Sequence, residues 1–248
     1  MPLSTTPGQA IVKLIALPDI ESVAQRAATI IALEARDAVA SRGRFTLAVS
    51  GGHTPWVMLR ALVEEDVPWG HVHLLQVDER VAPAGDPDRN LSHLRESLLD
   101  HVPLPSEQFH AMPVESADLG AACAQYAATL CAIAGSPPVL DLVHLGLGPD
   151  GHTASLIPGD KVLAATDVDV APTGPYQGRR RMTLTYPAIN RARRILWVVT
   201  GADKVTMLGR LLDGDPSIPA GRVKRDSALV VADRAAAGPS AAERGEGK

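Results

Sequence analysis

Aromatic residues are scarce in this chain. Only 3% of its 248 residues are Phe, Trp or Tyr, so the core has to be filled by Ala, Val, Leu and Ile, and little is available to stack nucleic-acid bases. Positive charge is not in excess either, since the formal net charge is −4 and the pI is near 6.1. No global field attracts nucleic acid or an anionic membrane, so any anionic ligand must be held locally. Cys123 and Cys131 are the only cysteines. Their spacing fits neither a zinc site nor a redox pair, and they read as buried, reduced thiols. The longest uncharged run, Leu119 to Leu140, is alanine-rich and broken by Gln125, Thr129, Gly135, Ser136, Pro137 and Pro138. It predicts a buried helix plus a turn rather than a membrane span. No basic segment followed by an apolar run opens the N-terminus, and the expected location is the cytoplasm.

With 46% apolar and 21% charged residues, the composition is that of a globular protein, and the length allows one large domain or two small ones. Strand-like and helix-like segments alternate. Ile11–Leu17 reads as a strand, and the periodic residues Val23, Ala27, Ile30, Ile31, Leu33 and Ala38 read as a helix ending at Gly43. Phe45–Val49 is a second strand, followed by a glycine turn and a helix that Thr54 caps and Pro55 opens. Val72–Val77 is a third, ending in Asp78-Glu79-Arg80, with a helix from about Asp88 to Leu99. Phe109–Met112 is a fourth; Ser116 then caps a helix reaching about Ala134, and Leu140–Leu145 is a fifth strand running into a second glycine turn. The stretch from Pro158 to Gly178 lacks a period and reads as a surface loop with a short helical turn. Arg181–Tyr186, Ile195–Thr200 and Leu229–Val231 supply three further strands, with a helix from about Ala202 to Leu212. No repeat or linker divides the chain. The expected architecture is α/β, a single domain over residues 1–234 built on a mostly parallel Rossmann-like sheet with helices on both faces, with a disordered tail over residues 235–248. Ligands of such sheets bind beyond the carboxyl ends of the strands, where both glycine turns fall.

Three clusters carry candidate chemistry. In Ser50-Gly51-Gly52-His53-Thr54-Pro55, glycines allow a close backbone approach and the helix start aims free N–H groups at a ligand, which suits a phosphate. Glycine pairs also make plain strand-to-helix turns, so the local sequence leaves both readings open. No Gly-Lys-Ser/Thr follows, which excludes a nucleotide P-loop. Gly146–Gly151 matches G-x-G-x-x-G. However, Asp150 would place a carboxylate beside a pyrophosphate, and the acids downstream, Asp167 and Asp169, lie in the irregular stretch, so a dinucleotide site is rejected. What remains is Asp150-Gly151-His152-Thr153, an acid and an imidazole at the active edge of the sheet. An isolated pair of this kind can equally be a capping Asp with a structural His. Asp78-Glu79-Arg80 is either a solvated strand end or a carboxylate and guanidinium facing a ligand, and which of Asp78 and Glu79 faces the site stays open. Arg179, Arg180 and Arg181 are likewise a solvated run or a phosphate clamp. No G-x-S-x-G elbow or H-E-x-x-H occurs, and His71 and His73 lack a third ligand, so neither a serine hydrolase nor a metal is expected.

Four ordered motifs together resemble one family. Ser-Gly-Gly-x-Thr-Pro after the second strand, Asp-Glu-Arg after the third, Gly-x-Gly-x-Asp-Gly-His-Thr-Ala-Ser-Leu-x-Pro-Gly at 146–159 and Arg-x-Thr-Leu-Thr-x-Pro-Ala-Ile-Asn at 181–190 are similar to 6-phosphogluconolactonase. This family lies within the wider group that includes glucosamine-6-phosphate deaminases. Thr153-Ala154-Ser155-Leu156 and Arg80 look like the lactonase branch. The resemblance spans about Ile11 to Val231 and implies hydrolysis of 6-phosphoglucono-1,5-lactone to 6-phosphogluconate in the oxidative pentose phosphate pathway. It implies a phosphate held by Ser50, Gly51, Gly52, His53 and Thr54, with Lys204 and Arg181 adding charge and Asp78 near the substrate. His152 is then the general base on a water, Asp150 orients the site, and Arg80 stabilises the developing oxyanion. His53 departs from the family, in which a second Ser commonly stands at this place. A lactone is an activated ester, so a positioned base and an oxyanion partner suffice, and no cofactor is expected. The expected partner is a small sugar phosphate, with no nucleic acid and no membrane, on a monomer or small homo-oligomer. The alternatives are a glucosamine-6-phosphate deaminase-type isomerase and a non-catalytic sugar-phosphate-binding domain.

Overall fold

Every residue of β2 (Phe45–Val49) is buried, as a strand covered on both faces must be. In the computed structural model, which describes residues 12–238, β2 sits inside a seven-stranded sheet. Across the sheet the order is β1 (Lys13–Leu17), β10 (Ala228–Asp233), β9 (Arg194–Val199), β6 (Leu142–Leu145), β2, β3 (Val72–Gln76) and β5 (Phe109–His110). All six pairings are parallel. From β2 the chain proceeds outward through β3 to β5, returns to β6 on the other flank, and proceeds through β9 to β10. The order therefore reverses between β2 and β6, and the crevice beyond their carboxyl ends is where such a sheet binds ligands. Both glycine turns begin there.

Helices cover both faces. α1 (Ile20–Arg42) and α2 (His53–Val63) pack Ile31, Met58 and Leu59 on Leu47 and Leu74. On the opposite face α4 (Leu119–Ala134), α5 (Tyr186–Arg191) and α6 (Val205–Asp213) bring Tyr126, Ile189 and Leu208 against Leu75, Leu145 and Trp197. α1 starts on Asp19, whose carboxylate accepts the Ser22 N–H at 2.8 Å, and stops at Gly43 in the left-handed region. The cap of α4 is Asp118, not Ser116: its carboxylate accepts the Ala121 N–H at 3.0 Å, while the Ser116 hydroxyl bonds only the Asp118 backbone. α3 (Asn90–Leu94) begins two residues later than expected. Among the described residues no helix is long and apolar enough to cross a membrane.

One expectation needs a larger correction. Asp78-Glu79-Arg80 is not a strand end but a strand, β4 (Asp78–Arg80), and Arg181–Leu184 (β8) does not extend the main sheet. With β7 (Val170–Pro172), drawn from the stretch read as a loop, they form a separate antiparallel sheet in the order β4-β8-β7. The chain passes between the sheets at Val77, whose N–H donates to Val49 of the main sheet at 2.9 Å while its carbonyl accepts from Leu184 at 2.8 Å. Strands of three or four residues are too short to show a period, so pattern alone assigns them to no sheet. Two smaller corrections concern the tail and the thiols. Arg234–Ala237 (α7) is helical with Ala236 and Ala237 buried, so the expected tail cannot begin at Ala235, and residues 239–248 lie outside the described part, as does Ile11. Cys123 is buried, and burial pushes its thiol up to about 11, but Cys131 is only half-buried.

Candidate active site

Ser50 closes β2 with both of its donors turned inward. Its N–H donates to Nδ1 of His144 at 3.3 Å and its hydroxyl to the His144 carbonyl at 2.9 Å, which ties the first glycine turn to β6. His144 can accept there because complete burial pushes its imidazole down to about 3 and keeps it neutral. At Gly51 a Cβ would stand 1.9 Å from the Asn90 side-chain oxygen, so only glycine fits. Gly52, at φ +122°, is the residue from which α2 departs, two residues earlier than a Thr54 cap would have it. With no side chain capping this end, the N–H groups of His53 and Thr54 lack intrahelical acceptors and offer an anion both hydrogen bonds and the positive end of the helix dipole. The Thr54 hydroxyl is 2.6 Å from that of Thr200, and Lys204, paired with Asp203 at 2.8 Å, lines the same side.

The second turn builds the imidazole site. One oxygen of Asp150 accepts both the His152 backbone N–H at 3.1 Å and the ring Nδ1 at 2.5 Å. A carboxylate only accepts, so the proton is assigned to Nδ1 and the Nε2 lone pair is left free. Burial by itself would raise the Asp150 carboxyl, but the His152 backbone N–H, the imidazole and the Tyr176 hydroxyl together bring it below the ordinary range. Gly148 is required here, because a Cβ would come within 2.1 Å of the imidazole. The G-x-G-x-x-G spacing thus makes room for a ring, not for a pyrophosphate.

The small sheet supplies the guanidinium groups. Its antiparallel register sets Arg80 opposite Arg181, and opposed residues share a face. Arg80 donates from Nη1 to the Asn90 side-chain oxygen at 2.6 Å and to the Asp88 carbonyl at 2.9 Å. The Nε groups of Arg80 and Arg181 are buried without partners among the described residues. Asp78 accepts the Ser155 hydroxyl at 2.6 Å and lies 4.0 Å from Arg181. Glu79 is wholly buried and accepts four N–H groups, from Gln76, Arg80, Asn90 and Leu91. Asp78 therefore faces the site and Glu79 braces the start of α3. Of the three consecutive arginines only Arg181 lines the cavity, while Arg179 pairs with Asp86 and Asp88.

One cavity of about 410 Å³ brings the candidates together: Ser50, Gly51, Gly52, His53, Thr54, Asp78, Arg80, His152, Arg181 and Lys204 all line it. Asp150 does not line it and bonds His152 from outside. Sequence reasoning missed Asn90, which lines the cavity and holds Arg80, and Tyr176, whose hydroxyl donates to the second Asp150 oxygen at 3.1 Å. Neither stands in a recognisable local pattern. Among the described residues no cluster of three or more His, Cys, Asp or Glu side chains is arranged to hold a metal.

The model for glucosamine-6-phosphate isomerases/6-phosphogluconolactonase matches residues 18–231. The chain belongs to this family. Among its relatives, the 6-phosphogluconolactonase of Mycobacterium tuberculosis is 40% identical over 214 residues, covering 81% of this chain and 87% of the relative. That of Synechocystis is 37% identical over 198 residues, covering 77% and 82%. The structure of 6-phosphogluconolactonase from Thermotoga maritima aligns with a TM-score of 0.80 at 25% identity over 90% of this chain and 99% of that one. A monomeric glucosamine-6-phosphate deaminase also aligns, with a TM-score of 0.77 at 20% identity, covering 91% of this chain and 99% of that one. The family fold therefore hosts both chemistries, and side chains must decide between them.

Proposed function

We propose that this chain hydrolyses 6-phosphoglucono-1,5-lactone to 6-phosphogluconate, the reaction that gives its relatives their name. The observation that carries the mechanism is the His152 imidazole at the cavity wall, with Nδ1 held by Asp150 and Nε2 free. The phosphate sits on the start of α2 against His53 and Thr54, with Lys204 and Arg181 supplying charge, which places the lactone ring toward His152 and Arg80. Nε2 takes a proton from a water whose oxygen attacks C1. Arg80 stabilises the oxyanion as the carbonyl becomes tetrahedral. When the intermediate collapses, the C1–O5 bond breaks and the imidazolium returns its proton to O5, giving the open-chain acid. Asp150 keeps the ring in the required tautomer, and Asp78 accepts from substrate hydroxyls.

Lactone ring opening also occurs without a catalyst, so the deciding experiment compares freshly generated 6-phosphogluconolactone with and without the protein. Acceleration well above the spontaneous rate, with no ammonia released from glucosamine 6-phosphate, is the expected result; ammonia release without lactone consumption overturns the reading. The proposed setting is the cytoplasm, supported by two unpaired thiols. The net charge of −4 favours a small anionic substrate over nucleic acid as the partner.

A further inference from the structure

β7 and β8 are joined by a hairpin whose tip carries a tyrosine with no role in the chemistry above. Tyr176 and Arg179 exchange backbone hydrogen bonds of 2.9 and 3.2 Å around Gln177 and Gly178, which lie at φ +51° and +76°. Positive φ at both central residues is the tight turn that suits a two-residue hairpin. It leaves the tip stiff enough to aim a side chain. From it Tyr176 reaches the acid and base. Its hydroxyl donates to the Asp150 oxygen that His152 does not use, at 3.1 Å, and its ring meets the imidazole edge-on at 5.3 Å between centroids. The Arg181 guanidinium lies 5.0 Å from the ring centre. Tyr176 does not line the cavity.

The hairpin is also tied across the site. Arg179 pairs with Asp86 at 3.0 Å and with Asp88 at 2.9 Å, and the Asp88 carbonyl in turn holds Arg80. The tip that carries Tyr176 and the loop that seats Arg80 are thus joined by one guanidinium.

We propose that Tyr176 is a positioning residue, fixing Asp150 by its second oxygen so that the first stays on His152 Nδ1, and seating Arg181 on its ring. The inference rests on the lactone hydrolysis proposed above. Asp150 is partly exposed and, among the described residues, otherwise bonded only to His152, two residues away. Without the phenol, water competes for that carboxylate, and more of its negative charge is left to stabilise an imidazolium. Asp150, Tyr176 and, through the tyrosine ring, Arg181 face the imidazole on this side; Asp78, Arg80, His53 and Lys204 share the cavity with it. Tyr176→Phe removes only the hydroxyl and keeps the ring.

The test measures kcat, KM and the pH profile for the wild type, Tyr176→Phe and Tyr176→Ala, together with the His152 ring signals by ¹⁵N NMR, identified by their loss in His152→Gln. Tyr176→Phe is expected to lower kcat about tenfold, the scale of one hydrogen bond to a charged group. KM should stay within about twofold, because no substrate contact is removed. The acidic limb of kcat/KM should move to higher pH, and the His152 signals should shift. Tyr176→Ala should raise KM as well, since Arg181 loses its platform. Unchanged kcat and pH profile in Tyr176→Phe, or equal losses in both variants with the limb unmoved, would overturn the proposal. If the wild type does not accelerate lactone hydrolysis, the functional reading fails by itself. The NMR arm then decides the positioning: His152 signals that shift in Tyr176→Phe support it and unmoved signals refute it.

Discussion

A single nitrogen decides what His152 can do. Because Nδ1 is committed to Asp150 at 2.5 Å, the proposed proton transfer is confined to Nε2, and replacing the ring would remove the proposed base without touching the start of α2. His152→Ala should therefore lower kcat by on the order of 10²–10⁴, the usual contribution of a general base, with KM little changed; a loss below about threefold would assign the proton transfer elsewhere. His53 carries a second residue-level prediction. It is exposed at the first turn of α2 and lines the cavity, beside the N–H groups of the helix start that are proposed to hold the phosphate. His53→Ala should weaken the binding of 6-phosphogluconate by about threefold to tenfold, the scale of one hydrogen bond, as read by isothermal titration calorimetry. Equal affinities for the two proteins would remove His53 from the proposed phosphate site.

Among the elements, the two glycine turns after β2 and β6 do the positioning, and their glycines are required for different reasons. Gly51 leaves room for Asn90, which in turn holds Arg80. Gly148 leaves room for the imidazole, and a methyl group there would meet it at 2.1 Å. Gly148→Ala should fold, because the residue sits in a turn at negative φ, but the ring must move. A displacement of about 1 Å at a reacting group can cost on the order of 100-fold, so kcat should fall by about that factor while the circular dichroism spectrum is retained. The same elements show why local reading went astray at helix starts. Ser116 and Thr54 are both good caps by residue type, but Asp118 already satisfies the first turn of α4, and the Thr54 hydroxyl is drawn to Thr200 across the sheet. Capping propensity ranks candidates, and tertiary contacts choose among them.

For the whole molecule, imidazoles withdrawn from water make stability depend on pH. His144 is fully enclosed and lowered by burial to about 3, and burial likewise lowers His73 and His110. In the unfolded chain these rings take up protons near pH 6.5, so the stability tied to keeping them neutral is complete above that value. It is lost progressively as the pH falls toward the folded-state values. The thermal midpoint should drop between pH 7 and pH 5, and His144→Gln should flatten that slope; an unchanged slope would show that His144 does not contribute. Much of this architecture is legible without coordinates. Alternating apolar segments and glycine turns determine a parallel sheet with its cavity at the carboxyl edge, because hydrophobic period and turn chemistry are local properties. The motifs at 50–55, 78–80 and 146–159 likewise contain most of the groups that line the cavity. Only the tertiary structure decided that β4, β8 and β7 form a second sheet, that Asp78 rather than Glu79 faces the cavity, and that Asn90 and Tyr176 hold Arg80 and Asp150. Those outcomes depend on which distant segments meet, and Tyr176 reaches an acid 26 positions away through contacts that no local period or spacing encodes.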